Sequence, residues 1–155
     1  YLNSPRTTHR LAVTVRKEWQ RLASSTPPSL YVRAYESRLD LLRVGIIGSK
    51  DTPYEDCLFF FDLQLPEDYP NKPPKVFFHS HGRRLNPNLY EDGKVCLSIL
   101  GTWSGDKVEQ WDPATSNLLR VLLSLQAIVL TEEPYYNEAG YEKQAGSAEG
   151  KNKSK

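Results

Sequence analysis

The stretch CLFFFDLQLPEDYPNKPPKVFF, residues 57–78, decides how this chain is built. The aromatic run Cys57 to Leu65 is rich in residues that pack on a pleated surface, and it reads as a strand. Pro66, Pro70, Pro73 and Pro74 then interrupt it, because proline cannot donate to a ladder. A fourth short strand is predicted at Lys75 to Phe78. Two further strand-like runs lie upstream, Leu30 to Tyr35 and Leu41 to Ile47. They are separated by Glu36-Ser37-Arg38, and Gly48 to Pro53 divides the second from the aromatic run. Connections this short favour an antiparallel meander.

Leu11, Val15, Trp19 and Leu22 recur at helical spacing, with Arg10, Arg16, Lys17 and Arg21 between them, so an amphipathic helix is predicted from about Thr7 to Ser24. Ser25-Thr26-Pro27-Pro28 ends it. A second helix is predicted from Thr115 or Ser116 through Leu118, Leu119, Val121, Leu122, Leu125, Ile128 and Val129. Between strand four and that helix, from His79 to about Asp112, no periodicity survives. Aperiodic stretches of more than about fifteen residues inside a compact domain are usually functional or disordered. This one holds Cys96. The segment 144–155 is small, polar and basic, and disorder is expected there, leaving residues 1–143 as the folded domain.

Composition sets the outer limits. With 155 residues, 39% hydrophobic and 25% charged, the chain has material for a single core. Its 20 basic and 19 acidic residues leave a formal charge of +1, so no global field draws it to nucleic acid. No apolar run approaches the roughly twenty residues of a membrane span, and no secretory leader pattern is visible. The two cysteines, Cys57 and Cys96, make no disulfide framework, and no metal-ligand spacing accompanies them. Reduced thiols in a soluble protein, cytoplasmic or nuclear, are the expectation. The chain starts at Tyr1 and has no methionine, which suggests a piece of a longer protein.

Several fragments follow one another in a telling order and spacing. They are Thr52-Pro53-Tyr54-Glu55, Phe59-Phe60-Phe61, Leu65-Pro66, Tyr69-Pro70, Pro73-Pro74-Lys75-Val76, Asn86-Pro87-Asn88, Gly93-Lys94-Val95-Cys96-Leu97 and Trp111-Asp112-Pro113. Together, over roughly residues 7 to 140, they resemble the ubiquitin-conjugating enzymes. Leu85 to Tyr90, the Gly101-Thr102-Trp103 insertion and Pro134 to Gly140 are similar more narrowly to the UBC domain of the very large hybrid enzymes that combine conjugating and ligase activities. The resemblance implies an α+β, UBC-like fold: a four-stranded antiparallel meander packed by an N-terminal helix and a central helix, with the active cysteine on the long loop after strand four.

It also implies chemistry. Cys96 would carry ubiquitin as a thioester, since thiolate is strongly nucleophilic and its thioester reacts with an amine unaided. The plainer reading is a small buried hydrophobe between Val95 and Leu97, which is what Cys57 is taken to be. Asn88, eight residues upstream, matches the family's motif asparagine, whose amide can donate to an oxyanion; capping its own loop is the alternative. Asn86 stands where the family usually has histidine, which puts support of the loop in question. Glu138 aligns with an acidic gate that would position the incoming lysine, and Ser98 replaces a common acidic residue. Arg10, Arg16, Lys17 and Arg21 would dock the ubiquitin-activating enzyme. Pro70, Asn71, Pro113 and Ala114 lie in the two ligase-docking loops. Asn71 there replaces a large apolar anchor, so ligase elements in the same chain are expected. Substrate proteins supply the lysines, and no cofactor or metal is called for. A catalytically weak ubiquitin-binding variant of the fold is the main alternative. A cysteine hydrolase would need a base beside the thiol, and besides His9 the only candidates are His79 and His81, upstream beside a Gly-Arg-Arg loop. Trp103 and Trp111 are expected to anchor the loop between them.

Overall fold

The computed structural model describes residues 9–103 and 110–137. Helix α1 (His9–Ser25) leads into strands β1 (Leu30–Tyr35), β2 (Arg38–Ile47), β3 (Leu58–Gln64) and β4 (Lys75–Phe78). The sheet has the order β1-β2-β3-β4 with every pair antiparallel, so the predicted meander is present. Helix α2 (Leu118–Ser124) continues as a π-helical turn, Leu125–Val129.

The sheet register fixes which face is core. Leu42, Val44 and Ile46 of β2 alternate inward with Phe59, Phe61 and Leu63 of β3, and all are buried. Tyr31, Leu58, Phe60 and Phe77 point to the opposite face and stay exposed. The inner face packs against α1 and α2, whose Leu11, Val15, Leu22, Leu118, Val121, Leu122 and Leu125 complete the same cluster. Each such side chain contributes on the order of 1.5–3 kcal/mol through burial.

Two strand and helix starts and one buried position differ most from the sequence expectation. Strand β2 begins at Arg38, three residues early, because Arg38 forms a two-pronged ion pair with Asp40 at 2.8 and 2.7 Å that holds the strand start extended. Helix α2 starts at Leu118 rather than at 115 or 116, since Thr115 and Ser116 are consumed by a turn around Asp112 and Asn117 caps the helix, accepting from Arg120 N–H at 3.0 Å. On α1, Trp19 is only partly buried and Glu18 occupies the core-facing position, at 4% exposure. The expected disordered tail, 144–155, lies outside the described residues.

Glu18 joins three elements. Tyr69 Oη donates to its Oε1 at 2.9 Å and Leu118 N–H to its Oε2 at 3.1 Å, tying α1 to the proline-rich loop and to the start of α2. Burial, reinforced by the Glu18 charge, pushes the Tyr69 phenol far above its ordinary pKa, so it stays a donor.

Candidate active site

The segment leading to Cys96 is less irregular than its sequence. Tyr90 N–H donates to Lys94 O at 3.0 Å and Gly93 N–H to Tyr90 O at 3.0 Å, closing a tight hairpin. Its second arm docks on the free edge of β4, where Phe78 N–H donates to Gly93 O at 2.8 Å and Phe77 pairs with Lys94. Leu89 pairs with Val95 across the hairpin. Gly93 sits at φ 86°, and any Cβ there would overlap the Phe77 ring. Both facts demand glycine.

Three residues after Gly93, Cys96 is 2% exposed. Its N–H donates to Asn88 O at 2.9 Å, and Asn88 Nδ2 returns a bond to Cys96 O at 2.9 Å. Asn88 thus holds both backbone groups of the cysteine. Asn88 Oδ1 is buried and has no hydrogen-bond partner among the described residues. The loop-capping role of Asn88 is therefore observed directly, and its amide has one acceptor still unused. Cys57 is not the hydrophobe expected of it: the thiol lies exposed on the β2–β3 connection.

Asn86 resolves the question of loop support. Its Nδ2 donates to Tyr54 Oη and to Val129 O, both at 2.7 Å, while its Oδ1 accepts from Asn88 N–H at 2.8 Å. A neutral imidazole has one donor and one acceptor and could not make all three bonds. The carboxamide can. The π-helical turn at the end of α2 presents Val129 O to this node, and such turns recur at functional sites. Burial raises the Tyr54 phenol pKa, while its bond from Asn86 lowers it in part.

The predicted partner-binding residues fall into two groups. On α1, Arg10, Arg16, Lys17 and Arg21 are all exposed. At 100° per residue, positions 10, 17 and 21 fall within about 40° of one another, and position 16 lies about 100° or more around the helix from them. Elsewhere, Trp111 Nε1 donates to Pro70 O at 2.7 Å and its ring lies 5.7 Å from Tyr69, which brings the Pro70-Asn71 loop beside the Pro113-Ala114 loop. Asn71 and Ala114 are exposed. Asp112 shapes the second loop by accepting from Ala114 N–H at 3.0 Å and from Thr115 Oγ1 at 2.7 Å, bonds that hold its pKa below the usual range. Trp111 packs on the core as expected, whereas Trp103 is half-buried and outside it. Glu138 lies outside the described residues. The chain leading to it is pinned by Asn137 Nδ2 donating to Ile128 O at 2.8 Å.

Sequence reading missed Glu18 and the contacts made by Tyr54 and Thr102. Glu18 left a trace, an acidic residue in step with Leu11, Val15 and Leu22. Tyr54 and Thr102 act through contacts 32 and 5–7 residues away, which no periodicity encodes.

A four-stranded meander backed by two helices, with one cysteine clamped on the long loop after β4, defines the UBC class of α+β domains. Comparison with known proteins specifies the family. The ubiquitin-conjugating enzyme family model matches residues 14–155. The Arabidopsis thaliana probable ubiquitin-conjugating enzyme E2 23 is 57% identical over 140 residues, covering 90% of this chain and 13% of that protein. The human dual E2 ubiquitin-conjugating enzyme/E3 ubiquitin-protein ligase BIRC6 is 50% identical over 132 residues, covering 83% of this chain and 3% of that protein. The solved structure of human ubiquitin-conjugating enzyme E2 G1 superposes with a TM-score of 0.64 at 29% identity, covering 75% of this chain and 91% of that one. The chain belongs to the ubiquitin-conjugating enzyme family. It spans only a small part of the length of the first two relatives.

Proposed function

We propose that this domain accepts ubiquitin from the activating enzyme as a thioester on Cys96 and passes it to lysines of substrate proteins. The observation that carries the reading is the Asn88–Cys96 clamp on the loop after β4, within the residues the family model matches. In the first step the Cys96 thiolate attacks the thioester carbonyl of ubiquitin held on the activating enzyme. A new carbon–sulfur bond forms and the donor thiolate leaves. In the second a lysine amine attacks, an amide forms, Cys96 leaves as thiolate and the amine proton is lost. Each step passes through an oxyanion. The Asn88 amide already donates to Cys96 O, and moving it from there to that oxyanion exchanges a neutral bond for a charge-assisted one.

Glu138 is assigned the gate that orients the lysine. The basic stripe of α1 is assigned to the activating enzyme, and the paired loops around Asn71 and Ala114 to a ligase. Exposed Asn71 offers no apolar anchor, which supports ligase elements in the same full-length protein. The reading places the protein in the cytoplasm or nucleus.

Because Cys96 is buried, charging requires the thiol to be uncovered. The test is incubation with activating enzyme, ATP and ubiquitin, followed by a non-reducing gel. A thiol-sensitive adduct that Cys96→Ala abolishes and Cys57→Ala leaves intact supports the reading. A folded chain that never charges replaces it with a ubiquitin-binding module.

A further inference from the structure

The Gly101-Thr102-Trp103 insertion sits just past the cysteine, and the proposed chemistry leaves it without a task. After Leu97 the chain makes one 3-10 turn, Ser98–Leu100, in which Leu100 N–H donates to Leu97 O at 2.9 Å and Gly101 N–H to Ser98 O at 2.9 Å. Gly101 then adopts φ 67°, the left-handed conformation that reverses the chain at a helix end. The reversal brings Thr102 back over the cysteine segment. Its hydroxyl accepts from Leu97 N–H at 2.9 Å and donates to Val95 O at 2.8 Å. Leu97 O is also near, at 3.3 Å, but a hydroxyl has one proton and Val95 O is closer.

From this geometry we infer that Thr102 is a positioning residue for Cys96. It touches no reacting atom and acts through the peptides on either side of the nucleophile. Asn88 bonds the N–H and C=O of Cys96 itself, and Thr102 bonds the C=O before it and the N–H after it. The four bonds hold three consecutive residues, which fixes the direction of the Cα–Cβ bond and so of the thiol. Misplacement of a reacting atom by about 1 Å can cost ~100-fold in rate, so a clamp of this kind matters in proportion to what it prevents.

Thr102 has a second consequence. The amide after a nucleophile is the natural backbone donor to an oxyanion, as in the nucleophile elbow of hydrolases. Here Thr102 already occupies Leu97 N–H, and Asn88 O occupies Cys96 N–H. Oxyanion stabilisation is thereby directed to a side chain, and the backbone is reserved for holding the cysteine. Thr102 tightens the site instead of adding a donor to it.

The inference rests on the thioester reading, so its test has two arms. In the first, the 155-residue chain carrying Thr102→Val, which keeps the shape and removes the hydroxyl, is charged with ubiquitin and chased with free lysine. Single-turnover discharge at saturating lysine is expected to fall about tenfold, with the half-saturating lysine concentration unchanged because Thr102 does not touch the amine. Thr102→Ser restores the hydroxyl and should recover most of the rate. In the second arm, which needs no ubiquitin, Cys96 is alkylated by iodoacetamide in a Cys57→Ser background. Loosening of the clamp should raise the alkylation rate of Thr102→Val several-fold over wild type, and Thr102→Ser should return it. Wild-type discharge by Thr102→Val, faster discharge from a freed Leu97 N–H, or failure of serine to restore either rate overturns the inference. If the wild type never charges, the alkylation arm alone decides.

Discussion

Removing the Glu18 carboxylate should unfasten the two helices from the proline-rich loop. In Glu18→Ala the Tyr69 hydroxyl, on a residue 1% exposed, loses its acceptor, and so does Leu118 N–H. An orphaned buried donor costs roughly 1–3 kcal/mol each. The one lost methylene adds about 0.8 kcal/mol. Release of the carboxylate from the interior offsets part of this, since a buried charge carries a desolvation penalty. The net expectation is a loss of about 3–5 kcal/mol, large against the 5–15 kcal/mol typical of a domain. Glu18→Gln keeps an acceptor for Leu118 N–H and an amide that can donate to the Tyr69 oxygen, so about 1–2 kcal/mol is expected. Tyr69→Phe should cost a similar amount. Urea unfolding followed by tryptophan fluorescence reads these as shifts in midpoint at constant slope. The Glu18→Gln/Tyr69→Phe double variant should fall short of the sum, because both single variants break one contact. Full additivity, or a Glu18→Ala loss below about 1 kcal/mol, would refute the assigned role.

Three other outcomes follow from the site and its surroundings. Gly93→Ala should destabilise the loop by about 1–2 kcal/mol from its positive φ alone, with more from collision with Phe77; Phe77→Ala should relieve the collision but not the backbone strain, visible as partial recovery of melting temperature and charging. In acid, the folded-state pKa of Asp40, lowered by its Arg38 pair, and that of Asp62, where Arg43 and His79 overcome the effect of burial, both lie below the unfolded value. Their stabilisation is full above a pH of about 4, and is lost as pH falls through the folded pKa, so Asp40→Asn and Asp62→Asn should flatten the acid limb of a stability–pH curve. Exposed Cys57 should react with maleimide at least about tenfold faster than buried Cys96, as mass spectrometry of partly labelled native protein would read, the reactive thiolate needing access to reagent.

The fold was legible because its signals are local. Alternation in β2 and β3, the proline cluster after Leu65 and the helical stripe from Leu11 to Leu22 each state their element within a few residues. Cys96 was singled out by its place on the long aperiodic loop and by the family resemblance, and Asn88 by the resemblance alone. What bonds them was hidden, because it depends on side chains distant in sequence. Tyr54 meets Asn86 across 32 residues, and Glu18 meets Leu118 across 100. The late start of α2 was hidden for a related reason: Thr115 and Ser116 have cap-forming side chains, and the Asp112 turn claims them first. The exposure of Cys57 likewise follows from the path of the β2–β3 connection, which alternation alone does not specify.

The clamp around Cys96 explains why a motif can lose its usual first residue and keep its loop. What the position must supply is two donors and one acceptor, aimed at Tyr54 Oη, Val129 O and Asn88 N–H. Asn86 supplies them without a titratable group. Asn88, held in turn through its backbone, has its amide nitrogen on Cys96 O and its amide oxygen without a partner among the described residues. A buried acceptor without a partner costs roughly 1–3 kcal/mol, which makes the resting position of that side chain less favourable than a fully bonded one. Turning the amide toward an oxyanion sacrifices a single neutral bond. Meanwhile Thr102 and the Asn88 backbone continue to hold the cysteine segment. The bond that answers the oxyanion is thus one of the four that hold the cysteine segment, and giving it up leaves the other three in place.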